Sequence, residues 1–276
     1  MRLSYSNYKT YKDCPRQFYY QINRVPPPYP PSKYFALYGI LIQMFFEYYV
    51  KYYIREVPDF TPEVIKGLLR RLWKKVLDRN HVVWDDPWVK YSSVDIFELV
   101  YQDALEVLKK FDFWSNCISE KKYVINLKKS GDELVAKIDF IHHCPDGTIE
   151  ILDGKGTDKV GKNVDVEQLY FYALAYLLHH RKLPDKIGFL YFKLRLIDYI
   201  DFTMDDIIKF KNKLALVKKT IKEDKEFKPN VKLSKHCKWC AWQTMCDEFN
   251  QKKQANRRKR SSIKEDSNGE VIDIGF

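Results

Sequence analysis

Lys137 to Lys155 reads Lys-Ile-Asp-Phe-Ile-His-His-Cys-Pro-Asp-Gly-Thr-Ile-Glu-Ile-Leu-Asp-Gly-Lys, and the fold turns on how this stretch is read. Leu134–Ile141 is apolar enough for a buried strand. Pro145-Asp146-Gly147 then supplies a fixed φ, a side chain that bonds its own backbone and freedom at positive φ, which together make a tight turn. Thr148–Lys155 follows as a second strand with Ile149 and Ile151 on one face. Side chains two apart on a strand share a face, so Asp153 and Lys155 point the same way. If the two strands pair as a hairpin, Asp139 comes close to Asp153. Two carboxylates and an ammonium then converge on one small volume. Such a set can hold a hard divalent cation through oxygens, with a lysine beside the water that the cation activates. Asp-x-Lys alone is also a common solvated strand end, so the weight comes from the surrounding chain.

Upstream, Ser119–Leu127 has a strand pattern closed by Gly131-Asp132. Downstream, Gly154–Asn163 is a Gly- and Lys-rich loop. Val166–His180 is a helix with Leu169, Tyr172, Ala173, Tyr176 and Leu177 on an apolar face. Lys186–Leu196 reads as one further strand, and Met204–Glu223 as a basic amphipathic helix. Before the hairpin, helices are expected over Tyr34–Arg55, Thr61–Leu77 and Val94–Phe113, with Trp84–Trp88 as a turn-like link holding Pro87. Gly39, Gln43 and Glu47 recur every four residues and share a helix face. At the start of the chain, Ser4 or Ser6 caps a helix carrying Tyr8 and Tyr11 or Lys12, and Cys14-Pro15 ends it and opens the next. Pro26–Pro31 is a proline-rich loop.

Helix, strand, hairpin, crossover helix and strand in that order imply an α/β fold, a mixed central β-sheet flanked by helices. The expected organisation is one domain over residues 1–250, with a helical insertion at 34–115, a catalytic core at 119–200 and a C-terminal cysteine-cluster region at 233–250. A polar, flexible tail at 251–276 completes it.

A formal charge of +11 and a pI near 9.1 favour a polyanionic partner, because lysines and arginines at phosphates release counterions. Aromatic residues make up 16% of the chain; much of this must be core, and a surplus of exposed tyrosines would suit base stacking. Met1–Tyr20 lacks the apolar run of a secretory leader. The longest apolar stretch, Tyr34–Tyr53, is interrupted by Gln43, Glu47 and Lys51, so no membrane span or membrane partner is expected. A cytoplasmic location follows as an expectation, and there the six cysteines are reduced thiols or metal ligands.

Cys237-Lys238-Trp239-Cys240 with Cys246 places three thiols close together, and the two-residue gap lets two sulfurs face one centre. The fourth ligand comes from elsewhere: Cys14, which precedes a proline, is the best candidate, and His236 also suits zinc. Cys117 and Cys144 lack partners and read as buried hydrophobes. Zinc and an iron–sulfur cluster both accept four thiolates.

Leu-Ser-Tyr-Ser-Asn-Tyr-Lys-Thr-Tyr-Lys-Asp-Cys-Pro-Arg-Gln-Phe-Tyr-Tyr, Leu3–Tyr20, resembles the opening of RecB-like nucleases of the PD-(D/E)XK superfamily. It is most similar to their iron–sulfur branch, which includes AddB and the small CRISPR-associated RecB-like exonucleases. The resemblance runs from about Leu3 to Cys246. It implies a restriction-endonuclease-like core and a 4Fe–4S cluster on Cys14, Cys237, Cys240 and Cys246, stapling the chain ends. It also implies a metal site on Asp139, Asp153 and the carbonyl of Gly154, with Lys155 positioning or deprotonating the attacking water. Gln168 and Tyr172 match the Gln-x-x-x-Tyr helix of the family and would orient Lys155 or the DNA backbone; Glu120 stands where relatives carry a glutamate. One departure concerns the metal: relatives place a histidine four residues after a helical glycine, where this chain has Gln43 after Gly39. A glutamine oxygen is a weaker neutral ligand that still suits Mg²⁺ or Mn²⁺. Glu47, one turn on, either compensates or is a solvated helix residue.

The implied activity is metal-dependent DNA cleavage, an exonuclease on ends or single strands serving replication, recombination or repair. Lys159, Lys162, Arg181, Lys193 and Arg195 are candidate phosphate contacts. Gln43 also keeps open a second reading, a DNA-binding module that has lost cleavage; a zinc-stapled adaptor is a third. High Lys, Tyr and Asn content suits a phage or mobile-element protein. The terminal Asp-Ile-Gly-Phe after the basic run Asn256–Arg260 resembles the tip of bacterial single-stranded-DNA-binding proteins. It is either a docking tip for replication or recombination proteins or an uncommitted end.

Overall fold

The computed structural model describes residues 1–28, 32–54, 61–85, 89–127, 131–161, 164–231, 237 and 240–255. The expectations for Arg55, Pro87, Trp88, Lys162, His236, part of the proline-rich loop and the tail from Asn256 lie outside the described residues. The chain divides into two compact units, one of Met1–Tyr8 with Ser32–Lys222, the other of Lys9–Pro31 with the residues from Glu223 on.

The first unit is built on a six-stranded mixed sheet: β1 (Arg2–Ser4), β2 (Cys117–Leu127), β3 (Asp132–His143), β4 (Ile149–Lys155), β5 (Lys186–Tyr191) and β6 (Leu196–Ile200). β3 organises the sheet. β2 pairs antiparallel along nearly all of one edge, from Cys117↔His142 to Leu127↔Asp132. The other edge is shared by β1, parallel at Arg2↔Glu133 to Ser4↔Val135, and by β4, antiparallel at Phe140↔Leu152 to His143↔Ile149. β4 pairs parallel with β5, and β5 antiparallel with β6. The β4–β5 pair needs a crossover, and α6 (Val166–His180) makes it.

Sequence reading missed β1, which has only three residues and gains its partner from the middle of the chain. It also ran one strand over Lys186–Leu196, where β5 ends at Tyr191 and β6 begins only at Leu196. The chain reverses through Phe192–Arg195, with Arg195 at φ 50° and its N–H bonded to the carbonyl of Phe192 at 3.2 Å. Phe-Lys-Leu-Arg contains none of the residues that ordinarily announce a turn.

Side-chain alternation sorts the sheet's two faces. Phe140, Leu152, Leu190 and Phe192 pack into a core shared with α3 (Leu37–Tyr48), α4 (Pro62–Arg79) and α5 (Ser93–Lys110). Leu41, Ile42, Phe45 and Phe46 of α3 are fully buried there, and Phe46 stacks between Trp114 and Phe192 at 4.5 and 5.0 Å. Thr61 caps α4, and Ser92 and Asp95 form a reciprocal capping box on α5. The long helix expected at Tyr34–Arg55 is α3 preceded by a 3₁₀ turn at Tyr34–Ala36 and followed by a π turn at Tyr49–Tyr53.

α6 lies on the opposite face. It buries Leu169, Tyr172, Ala173 and Tyr176 of its expected stripe, leaves Leu177 half-buried, and also buries Phe171, Leu174 and Ala175. Phe171 meets Tyr5 at 5.9 Å and, at 6.5 Å, Phe210 of α7 (Met204–Glu223). A helix covered by sheet on one side and by other helices on the other has little polar face left. No helix among the described residues is long and apolar enough to cross a membrane.

α1 (Tyr5–Asp13) begins in the first unit and has ended at Cys14; in the second unit α2 (Pro15–Ile22) starts with Pro15 in its first turn. Side-chain bonds tie the early and late segments of this unit together. Tyr11 donates to Asp224 at 2.7 Å, Arg16 Nε to the carbonyl of Phe227 at 2.9 Å, and Trp242 Nε1 to the carbonyl of Val25 at 2.9 Å.

Candidate active site

The β3–β4 register continues one step past Phe140↔Leu152, which sets Asp139 opposite Asp153. The backbone N–H of Gly154 donates to Asp139 Oδ2 at 3.0 Å. Asp153 is only 1% exposed, and Lys155, two residues along the same face, forms an ion pair with its Oδ2. One residue of α6 joins these groups. Gln168 Nε2 donates to Asp153 Oδ1 at 2.7 Å and to the Tyr172 hydroxyl at 2.9 Å, while its Oε1 accepts from Lys155 Nζ at 3.2 Å. Every polar atom of that amide is committed, so Gln168 sets the positions of both carboxylate and ammonium. The structure thus brings Asp139, Asp153, Gly154, Lys155, Gln168 and Tyr172 together.

The facing wall is α3 with β2. Gly39, Gln43 and Glu47 line the same cleft, about 800 Å³ in volume, as Asp139, Asp153 and Lys155. Gly154 makes this approach possible: a Cβ there would fall 2.1 Å from Gln43 Oε1. Gln43 Nε2 donates to Glu47 Oε1 at 3.0 Å, whereas Gln43 Oε1 is buried with no hydrogen-bond partner among the described residues. Glu120 on β2, opposite Asp139, also lines the cleft and pairs with Lys137. Its φ of 53° is a left-handed value in mid-strand, a conformation that costs energy for a residue with a side chain.

Burial dominates the electrostatics. Desolvation, then the charge of Asp153, holds the Asp139 carboxyl well above the ordinary carboxylate range. Desolvation also raises Asp153, against the pull of Lys155. Glu47 is pushed up to about 7, first by burial; the Gln43 bond opposes this and the Glu120 charge adds to it. Burial, then Asp153 and Asp139, raises the Tyr172 phenol. Carboxyls this desolvated and this close disfavour their own ionisation, and a cation among them would restore it. Asp139, Asp153, the carbonyl of Gly154 and the unpartnered Gln43 Oε1 make an all-oxygen set that fits a hard divalent metal.

The expected phosphate contacts scatter. Lys193 lines the cleft with its ammonium 4.1 Å from the centroid of the Tyr38 ring. Lys159 and Arg181 are exposed, Arg181 ending α6 at φ 61°. Arg195 is committed elsewhere: its Nη2 donates at 2.7 Å to Asp103, a buried carboxylate that also accepts from Tyr38 at 2.7 Å. Sequence reasoning missed Lys137, Tyr38 and Gly156 in the cleft; glycines on both sides of Lys155 were the one available signal. Cys117 is buried as expected. Cys144 is not a partnerless hydrophobe: it is half-exposed, with its sulfur 3.4 Å from His142 Nδ1.

In the second unit, Cys14, Cys237, Cys240 and Cys246 line one cavity with Arg16, Tyr20 and Trp242. Burial first, and the neighbouring Cys14 after it, push the Cys237 thiol up. The Cys240 and Cys246 thiols are raised chiefly by burial as well. Four thiols around one cavity fit a thiophilic centre, which would deprotonate them.

The profile of the family described as the PD-(D/E)XK nuclease superfamily matches residues 2–247 of this chain. No curated protein matches it in sequence. A solved structure titled "Crystal structure of SSO0001" is 13% identical, over 85% of this chain and 93% of that one, at a TM-score of 0.32. A likeness that loose carries no argument here.

Proposed function

The chain belongs to the PD-(D/E)XK nuclease superfamily, and from that premise we propose that it is a metal-dependent deoxyribonuclease of the RecB-like iron–sulfur branch. Its proposed action is that of an exonuclease on DNA ends or single strands, in replication, recombination or repair. The observation that carries this reading is the convergence of Asp139, Asp153 and Lys155 at the floor of an open cleft, the last two tied by the single amide of Gln168 and Asp139 held by the N–H of Gly154.

Asp139, Asp153, the carbonyl of Gly154 and Gln43 Oε1 would hold Mg²⁺ or Mn²⁺. The bound metal supplies Lewis acidity, lowering the pKa of water and offsetting charge on a phosphate oxygen. Lys155 orients the attacking water and offsets the negative charge that builds on the phosphate as the new bond forms. Gln168 keeps the ammonium from collapsing wholly onto Asp153 by offering a second acceptor, and Tyr172 fixes the amide in turn. Gln43 takes the place of the histidine usual in relatives, and Glu47 beside it adds a carboxylate once deprotonated. Lys193, which lines the cleft, offers positive charge to the DNA backbone, whereas Lys137 is paired with Glu120. In the second unit, the four cysteines would hold a 4Fe–4S cluster that staples this unit and takes no part in the chemistry.

Cleavage of end-labelled single- and double-stranded DNA tests the proposal, using anaerobically purified protein with Mg²⁺ or Mn²⁺. Activity in the parent that disappears in Lys155→Ala is the expected result, and the product ladder gives polarity. No cleavage by protein that still binds DNA tightly and salt-sensitively would replace the proposal with a binding module. A brown protein with visible absorbance lost in Cys240→Ser is expected of the cluster; a colourless protein carrying zinc would overturn that assignment.

A further inference from the structure

Outside the cleft, the turn end of the β3–β4 hairpin carries a second group of ligating atoms on the sheet's other face. Asp139 and Asp153 are odd-numbered neighbours facing α6, whereas His142 and Glu150 form an even-numbered pair across the same two strands. The two groups are also separated along β4, because Glu150 and Asp153 are three residues, about 10 Å, apart. His142 Nδ1 lies 3.0 Å from Glu150 Oε2, and Cys144 Sγ lies 3.4 Å from the same nitrogen. One ligand atom from each of the three residues lies within 4.8 Å of the others. The turn holds Cys144 over the pair: its N–H bonds to the carbonyl of Thr148 at 2.9 Å, and its carbonyl accepts from Gly147 at 3.0 Å.

We propose that His142, Cys144 and Glu150 form a zinc site, separate from the nuclease cleft and from the cysteine quartet. One imidazole nitrogen, one thiolate and one carboxylate are a borderline donor set that zinc accepts, while Mg²⁺ and Ca²⁺ avoid thiolate. With zinc bonds of about 2.0–2.3 Å and tetrahedral angles, nitrogen and oxygen ligands stand about 3.4 Å apart and nitrogen and sulfur about 3.6 Å. The distances here are a few tenths of an ångström shorter, as suits atoms that share protons until a metal replaces them. Outer support is already built. Lys186 on β5 donates to Glu150 Oε1 at 3.0 Å and Tyr199 on β6 to Oε2 at 2.9 Å, so the carboxylate is oriented from the adjacent strand and from the one beyond it. His142 and Glu150 are buried, at 7% and 5% exposure, and half-exposed Cys144 gives the ion its way in. Bound zinc clips the turn to the pair beneath it: the thiol proton leaves to water, and the imidazole carries its remaining proton on Nε2 once Nδ1 holds the metal.

The test counts zinc per chain after equilibration with Zn²⁺ and gel filtration, on full-length protein with the quartet occupied as purified. The parent is expected to hold one zinc more than Cys144→Ser and Glu150→Gln. Co²⁺ in place of zinc should give a thiolate-to-cobalt absorption band that Cys144→Ser lacks. Asp139→Asn should leave the thiolate-to-cobalt band unchanged, whatever metal the cleft itself takes, which separates this site from the cleft whether or not the protein cuts DNA. Because Cys144 is half-exposed, Cys144→Ser should fold even if Glu150→Gln does not. Equal zinc and an equal cobalt band in the parent and a folded Cys144→Ser would overturn the site.

Discussion

A methyl group on Gly156 would sit 2.8 Å from the Cα of Gly39 and 3.1 and 3.3 Å from two ring carbons of Tyr38. Carbon atoms in good contact stand about 3.5–4.0 Å apart, so the shortfall against the α3 backbone is about 1 Å. Neither neighbour can turn aside: Gly39 offers only main chain, and Tyr38 is buried with its hydroxyl on Asp103 at 2.7 Å. Either α3 or the segment after Lys155 must retreat. Overpacking of this kind costs about 1–3 kcal/mol, or a Tm lower by about 2–12 °C at about 2–4 °C per kcal/mol. The displacement also moves Gln43, one turn along α3, away from Asp139 and Asp153. Misplacing a reacting constellation by about 1 Å is worth about 100-fold in rate. Gly39→Ala is the matched control, since a Cβ there meets nothing within 4 Å, and alanine in a helix interior gains up to about 1 kcal/mol over glycine. Thermal melting and metal-dependent cleavage of labelled DNA would be measured on both variants. An unchanged Tm and rate in Gly156→Ala, or equal damage from Gly39→Ala, would refute the claim that this backbone contact sets the width of the cleft.

Gln168→Ala should lower cleavage by about 10–100-fold through kcat more than KM, since it loosens Asp153 and Lys155 without removing either; steady-state kinetics would read the split. Glu47 keeps its proton up to about pH 7 in the fold, against an ordinary value of 4.5, so the unfolded chain releases that proton first and metal-free protein loses stability as pH rises from about 4.5 to 7. Glu47→Gln should flatten the dependence of Tm on pH over that range without abolishing it, because the raised Asp139 and Asp153 act with the same sign. Arg195→Met should cost about 1.5–3 kcal/mol in denaturant unfolding, because it leaves the buried Asp103 with Tyr38 as its one remaining partner of the two.

Local chemistry made much of the candidate site's floor legible. The Pro-Asp-Gly turn and the strand period of two place Asp153 and Lys155 on one face and bring Asp139 opposite, with no help from the rest of the chain. The helical period likewise puts Gln168 and Tyr172 together one turn apart, and the bounds of α6 and α7 follow from periodicity between clear breaks. The break at Cys14-Pro15 and the Cys-x-x-Cys spacing are local in the same sense.

What the tertiary structure alone decided are meetings between residues far apart in sequence, where no short-range preference acts. Pairing of Arg2–Ser4 with the middle of β3, the insertion of Gln43 against the bare edge of Gly154 and the capture of Arg195 by Asp103 are of this kind. So is the return of β6 alongside β5 through a turn that carries no turn residues. Cys144 shows the limit most plainly. Its neighbour His142 is two residues away, but the carboxylate that completes the group reaches it only because the strand register sets Glu150 opposite His142, with Lys186 and Tyr199 arriving on two further strands. Periodicity decides which way a side chain points; packing and register decide what it meets there.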